Sequence, residues 1–233
     1  MIDCIVTTSI RPNDANYLQE SLLSIKDGGF DNVWIAADGP LPRLNGFFQP
    51  KVMTPTKIGI VPFYRLCLSY MIEYAQGDRF IVFQDDVQVC PNCCEWIERH
   101  PLKEDHIFSL YTNKWTHDFV FAKPKIFPPF RGWDIIPLSP TDSEPHPSLN
   151  ALGGCAIMFT KDAARKLIET RPPVRTDRLG AWIAEFAYHS HQMSLWAHNP
   201  SIVQHIGVQG YRGSENHNKK AVNFATDLSQ LDK

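Results

Sequence analysis

Phe80-Ile81-Val82-Phe83-Gln84-Asp85-Asp86-Val87 is the stretch whose reading decides the fold. Four consecutive β-branched and aromatic residues predict a short strand buried on both faces. The strand runs directly into two adjacent carboxylates. Uncompensated buried charge costs several kcal/mol or shifts its pKa, so paired acids at a strand end call for a neutralising partner. A divalent cation carrying a phosphorylated ligand is one such partner, because Mg²⁺ and Mn²⁺ take one or two carboxylates and fill the remaining positions with water and phosphate oxygens. Asp85 and Asp86 are therefore expected at the carboxyl end of a central strand, holding a metal–diphosphate. The alternative is a strand followed by a solvated acidic turn.

Upstream, Asp3 to Thr8 predicts a first strand, and Thr7-Thr8-Ser9-Ile10-Arg11-Pro12 a polar loop at its carboxyl end. Asn13 or Asp14 is placed to cap a helix over Tyr17, Leu18, Leu22, Leu23 and Ile25, which Gly28-Gly29 ends. Val33 to Ala37 is a second buried strand, again ending in an acid, Asp38. Strand–helix–strand opens a parallel α/β sheet, in which ligands sit outside the carboxyl ends of the strands. Pro40 to Pro62 is irregular, with Lys57 on a ligand-facing loop. Phe63 to Tyr74 is an amphipathic helix with Phe63, Leu66, Cys67, Tyr70, Met71 and Tyr74 as its stripe.

Downstream, Ile107 to Tyr111 is a strand. Thr112 to Asn150 is rich in aromatics and prolines with little periodicity, a long structureless stretch suited either to stacking on sugars or bases or to covering the core. Gly153-Gly154 opens a strand ending at Phe159, which suggests a close backbone approach. Thr160 caps a helix over Ala163, Ala164, Leu167 and Ile168. A further helix runs from Leu179 to Ser190, with Asp177 as a candidate cap. Ser194 to Trp196 and Ser201 to Gly207 are late strands, the second carrying His205 inside an apolar run. The tail from Gly210 is polar and expected to be loosely held.

The 233 residues make one large domain, with 43% apolar and 21% charged residues, as in ordinary globular chains. A net charge of −2 gives no global field toward nucleic acid or anionic membrane. No apolar run approaches the roughly 18 residues of a membrane span, and Met1 to Val6 lacks the features of a signal peptide. The expectation is a complete, cytoplasmic protein with no membrane insertion. Of six cysteines, Cys90, Cys93 and Cys94 cluster with the gap of half a zinc site. No second matching pair exists, so reduced thiols or a local disulfide are the other readings.

The order of these features resembles the GT-A fold of nucleotide-sugar-dependent glycosyltransferases, over roughly Ile2 to Gly213. Val6-Thr7-Thr8-Ser9 looks like the first strand and nucleoside loop, and Ala36-Ala37-Asp38-Gly39 like the second strand end that binds base or ribose. Gln84-Asp85-Asp86 stands in the place of the Asp-x-Asp motif, with Gln84 where an acid would be. Leu152-Gly153-Gly154 is similar to a donor- or acceptor-side strand, and Val203 to Gly207 to the late strand whose His completes a metal shell. The resemblance implies a mostly parallel sheet flanked by helices. Residues 1–111 would form a Rossmann-like nucleotide-sugar half, 112–213 an acceptor half and 214–233 a tail.

It further implies transfer of a sugar from a nucleoside-diphosphate sugar, with Mn²⁺ or Mg²⁺ held by Asp86 and His205. Asp85 would meet the ribose or a metal-bound water. Thr8, Ser9, Arg11, Asp38, Lys57, Arg65, Gly153 and Gly154 would contact the donor. For an inverting reaction Asp177 would be the base, with Glu185 in reserve; a retaining one needs no base. The acceptor stays open among a glycan, a lipid, a protein and a modified DNA base; the lack of a membrane segment or basic amphipathic helix counts against the lipid, and Arg212, Lys219 and Lys220 would serve the base. Two other classes compete. A nucleotidyltransferase would usually carry a Gly-rich basic loop after the first strand, and Thr7 to Pro12 has no glycine. A non-catalytic sugar-binding module would use the aromatic segment without the metal.

Overall fold

The computed structural model describes residues 1–9, 17–41, 49–99, 107–112, 132–136, 154–170, 179–187, 195–207, 221 and 224–228. In chain order the elements are β1 (Ile2–Ser9), α1 (Leu18–Asp27), β2 (Val33–Asp38), β3 (Val52–Met53), α2 (Ile60–Tyr74), β4 (Arg79–Gln84) and β5 (Val87–Val89). They continue with α3 (Cys93–Arg99), β6 (Ile107–Ser109), β7 (Gly132–Ile136), β8 (Ala156–Thr160), α4 (Lys161–Glu169), α5 (Leu179–Glu185), β9 (Leu195–Asn199) and β10 (Val203–His205).

Among the described residues an eight-stranded sheet has the order β3-β2-β1-β4-β8-β6-β9-β7, and β10 pairs with β5 in a separate ribbon. β3, β2, β1, β4, β6 and β9 run one way. β8 and the edge strand β7 run the other way. The fold is thus a mostly parallel mixed sheet flanked by helices, and strands from both halves of the chain share it.

The run Phe80 to Phe83 explains why the sheet must be covered on both sides. Phe80 and Val82 point into one apolar layer, shared with α2, α4 and α5. Ile81 and Phe83 point into the other, shared with α1 and α3. β8 alternates in the same way, with Ile157 and Phe159 on one side and Ala156 and Met158 on the other. Burying each large apolar side chain is worth about 1.5–3 kcal/mol, so the core of β4 alone contributes on the scale of a domain's whole net stability.

Four expectations are corrected. The helix α2 begins at Ile60 and takes Pro62 into its first turn, where the missing N–H would have had no helical partner. Its buried face is Val61, Phe63, Tyr64, Cys67, Leu68 and Met71, while Leu66 and Tyr74 are exposed. This helix is apolar nearly all round, so spacing alone did not fix which stripe turns inward. Within the segment read as structureless, Gly132–Ile136 forms β7, antiparallel to β9. The tail is not wholly loose: Phe224 bridges Ser201, Ala225 N–H donates to Ser201 O (2.8 Å), and Ala225 and Leu228 are buried in the α1-side core. Thr160 caps α4 as its position predicts, accepting from Ala163 N–H at 3.2 Å. The capping residues Asn13 and Asp14 lie outside the described residues, as do residues 188–190 of the helix expected from Leu179.

Candidate active site at the carboxyl ends of the strands

Parallel pairing aligns the ends of three strands on one edge of the sheet. Ser9 lies beside Asp38 and Thr7 beside Gln84. One residue beyond Gln84 the chain turns at Asp85 and Asp86 into β5. Thr8 Oγ1 donates to Asp85 Oδ2 at 2.5 Å, which ties the end of β1 to the first acid. β5 then pairs antiparallel with β10, with His205 opposite Val87. That register delivers the imidazole to the second acid: His205 Nε2 stands 3.1 Å from Asp86 Oδ2, with both residues under 10% exposed. Asp86 and His205 are 119 positions apart, and the ribbon is what brings them together.

The chain past His205 closes over the same acid. Ile206 N–H donates to Asp86 O at 2.8 Å. Gly207 follows, and a Cβ there would fall 2.5 Å from Asp86 Oδ2. No side chain fits between that backbone and the carboxylate, so glycine is required by contact rather than by conformation. On the far side, the fully buried Ser21 of α1 donates to Asp85 O (2.9 Å) and accepts from Val87 N–H (2.9 Å). Tyr111 stands behind the pair, its ring centroid 6.5 Å from that of His205. Burial first, then the nearby Cys155 and Asp86 side chains, push its phenol well above its usual range, so it stays protonated.

Ser21, Tyr111 and Gly207 were not singled out as site residues from the sequence. Gly207 had a signal, in its position two residues after the candidate ligand. Ser21 had a weaker one, as a serine inside the apolar face of a helix.

The other expected residues divide. Lys57 Nζ reaches Ser9 Oγ at 3.4 Å, which puts this cation at the end of β1. Asp38 is buried at the start of α2. Its Oδ1 accepts from Ile58 N–H (2.8 Å) and Thr54 Oγ1 (3.2 Å), and its Oδ2 from Gly59 N–H (3.1 Å). A carboxylate at a helix N-terminus complements the helix dipole and the orphan N–H groups there, so Asp38 has a structural task that the motif did not suggest. Arg65 is given a different place from the phosphate contact expected of it. Its guanidinium donates to Thr170 O (2.6 Å) and to Ile168 O at the end of α4, over the ring of Trp182. Gly154 does permit a close approach, but to protein: a Cβ would lie 2.8 Å from Leu179 Cδ2. Arg11, Gly153 and Asp177 lie outside the described residues, and of Glu185 the backbone alone is described, as the last residue of α5.

A carboxylate oxygen suits Mg²⁺ and Mn²⁺, and an imidazole nitrogen beside it moves the donor set toward the transition metals. The 3.1 Å between Asp86 Oδ2 and His205 Nε2 is a direct hydrogen-bond distance, and it also matches the roughly 3 Å between two adjacent ligands of an octahedral ion. Among the described residues no three His, Cys, Asp or Glu side chains gather round one point. Among the described residues, a cation at this point would meet two protein ligands, Asp86 and His205.

All six cysteines are free thiols, and burial pushes those of Cys90 and Cys94 up to about 11. A second buried histidine, His198, is locked structurally. It accepts from Trp96 Nε1 at Nε2 (2.8 Å), which leaves Nδ1–H to donate to Pro200 O (2.6 Å).

No family model matches the chain, and no curated protein matches it. Among solved structures it is similar to a putative glucose-1-phosphate thymidylyltransferase from Bacillus anthracis, determined in complex with a sucrose. The TM-score is 0.55 at 12% identity, over 97% of this chain and 98% of that one. It also aligns with A197 from STIV at a TM-score of 0.48 and 9% identity, over 87% of this chain and 83% of that one. The first likeness shows the fold: this chain shares that protein's α/β architecture over 97% of its length. No helix of the described residues is long and apolar enough to cross a membrane.

Proposed function

We propose that the chain is a metal-dependent glycosyltransferase that moves a sugar from a nucleoside-diphosphate sugar to an acceptor hydroxyl. The observation that carries the reading is the meeting of Asp86 and His205 at 3.1 Å through the β5–β10 register. Asp86 and His205 would hold Mn²⁺ or Mg²⁺, which when bound offsets the charge that grows on a departing diphosphate.

The chain's own groups supply the rest. Lys57, beside Ser9, adds a positive charge where the phosphates would enter. Thr8 holds Asp85 oriented toward the nucleoside side. The acceptor oxygen bonds to the anomeric carbon as the bond from that carbon to the diphosphate breaks. In an inverting reaction a carboxylate takes the acceptor's proton, and Asp177, with Glu185 in reserve, is the candidate. The acceptor class is a glycan by preference. For a modified DNA base the basic residues Arg212, Lys219 and Lys220 would be used, and steep salt dependence of binding would mark it.

The thymidylyltransferase likeness favours a second reading on the same ligands, transfer of a nucleotidyl group to a sugar phosphate. The products separate the two. Incubation with a panel of nucleoside-diphosphate sugars and Mn²⁺ is expected to release nucleoside diphosphate. Pyrophosphate released from nucleoside triphosphates and sugar 1-phosphates would instead establish nucleotidyl transfer. Neither product under any donor would sink both and leave a binding module.

A further inference from the structure

Resting on that reading of Asp86, we infer that Ser21 is the positioning residue of the cation site, with Ser24 as its support. Two hydrogen bonds carry this. Ser21 Oγ donates to Asp85 O and accepts from Val87 N–H, each at 2.9 Å. The first group belongs to the peptide plane before the Asp86 Cα and the second to the plane after it. One hydroxyl therefore fixes both planes that flank Asp86, and with them its φ and ψ. Fixing those two torsions fixes the direction of Cα–Cβ and the starting point of the carboxylate.

Ser24, three residues on along the same helix face, extends the arrangement down β5. It donates to Ser21 O (2.9 Å), accepts from Val89 N–H (3.2 Å) and lies 3.4 Å from Val87 O. β10 pairs with one edge of β5, and the two serines serve the N–H groups of Val87 and Val89 on the other. A side-chain edge does what a third strand would otherwise do.

The hydroxyl is not there for packing. Leu18, Leu22 and Ile25 are the other inward residues of α1, and Ser21 is fully buried among them. A buried hydroxyl is costly unless bonded, and an alanine would satisfy the core better. What the serine adds is control of the acidic turn. Ligand-orienting groups outside the metal shell typically matter 10- to 100-fold in metal affinity.

The test titrates Mn²⁺ alone into the full chain and follows free Mn²⁺ by electron paramagnetic resonance. Variants are Ser21→Ala, Ser24→Ala, Asp86→Asn and Leu22→Ala, the last removing packing from the same helix without touching the turn. Wild type should bind Mn²⁺ in a manner that Asp86→Asn abolishes. Ser21→Ala should weaken that binding at least about ten-fold, Ser24→Ala by a smaller factor, and Leu22→Ala not at all, even where its melting temperature falls as far. Wild-type affinity retained in Ser21→Ala overturns the inference while leaving the cation site standing. Equal weakening in Leu22→Ala overturns it too, since that reports general loosening. Absence of any binding dependent on Asp86 overturns the cation site and the inference together. Should Ser21→Ala fail to fold, Ser24→Ala decides, and unchanged affinity there counts against the proposal.

Discussion

At the scale of single residues, the site rests on contacts that leave little room. Gly207 is the sharpest case, because a methyl group there would press on Asp86 Oδ2 at 2.5 Å. Gly207→Ala is expected to displace the carboxylate and cut activity at least about ten-fold, as loss of ligand geometry does. Stability should change by only about 1–3 kcal/mol. Steady-state kinetics beside a denaturant melt checks this, and full activity in a folded variant would show that the approach has slack. Asp86→Asn keeps size but removes the charge and replaces one acceptor oxygen with an NH₂ donor, and is expected to abolish Mn²⁺-dependent product release. Sequence order made Asp86 and His205 legible, since an acid pair after a buried strand and a lone imidazole on a late strand are rare enough to be noticed together. Ser21 was only faintly legible, because a serine on the apolar face of a helix reads the same whether it fills space or bonds a peptide plane. Arg65 misled for a similar reason: a guanidinium near a ligand loop looks available until the end of α4 is seen to occupy it.

At the scale of elements, helix ends are where expected ligand residues turn out to have structural partners. Arg65 closes the carboxyl end of α4, where orphan carbonyls and the negative pole of the helix gather. Arg65→Met is expected to lower stability by about 1–3 kcal/mol, the range for lost charge-assisted bonds, with KM for the donor unchanged. Urea unfolding and a donor titration measure the two effects separately, and a large KM change without destabilisation would return Arg65 to the phosphates. The strands were the more readable elements, because β4 and β8 alternate between two apolar layers and so appear as unbroken hydrophobic runs, and in β1 only Asp3 interrupts the run from Ile2 to Val6. The inward face of α2 was hidden, since Leu66 and Tyr74 compete with Tyr64 and Leu68 at similar spacing. β7 was hidden by its surroundings: five residues of strand within a proline- and aromatic-rich segment lack the length to show a period, and only pairing with β9 defines them.

At the scale of the whole molecule, one buried thiol, Cys90, and one half-buried thiol, Cys94, bear on how the fold responds to alkali. Burial raises the Cys90 and Cys94 thiols from the ordinary 9.0 to about 11. Above pH 9 the unfolded chain releases these protons while the folded chain keeps them, so the folded state binds more protons and stability falls as pH rises. The melting temperature is expected to be flat below about pH 8 and to drop between 9 and 11. Cys94→Ser should soften that drop, and a melting temperature that holds level to pH 11 would contradict the burial. The same molecule-wide view bears on the site, for β1, β4, α1 and the distant β10 must all be in register for one carboxylate and one imidazole to meet. The most direct measurement is the imidazole spectrum of His205 by nuclear magnetic resonance while Mn²⁺ is added. The His205 signals should broaden first among the histidines, and this selectivity should vanish in Asp86→Asn. A His205 signal that stays sharp while bound Mn²⁺ broadens others would contradict a shared cation at this pair.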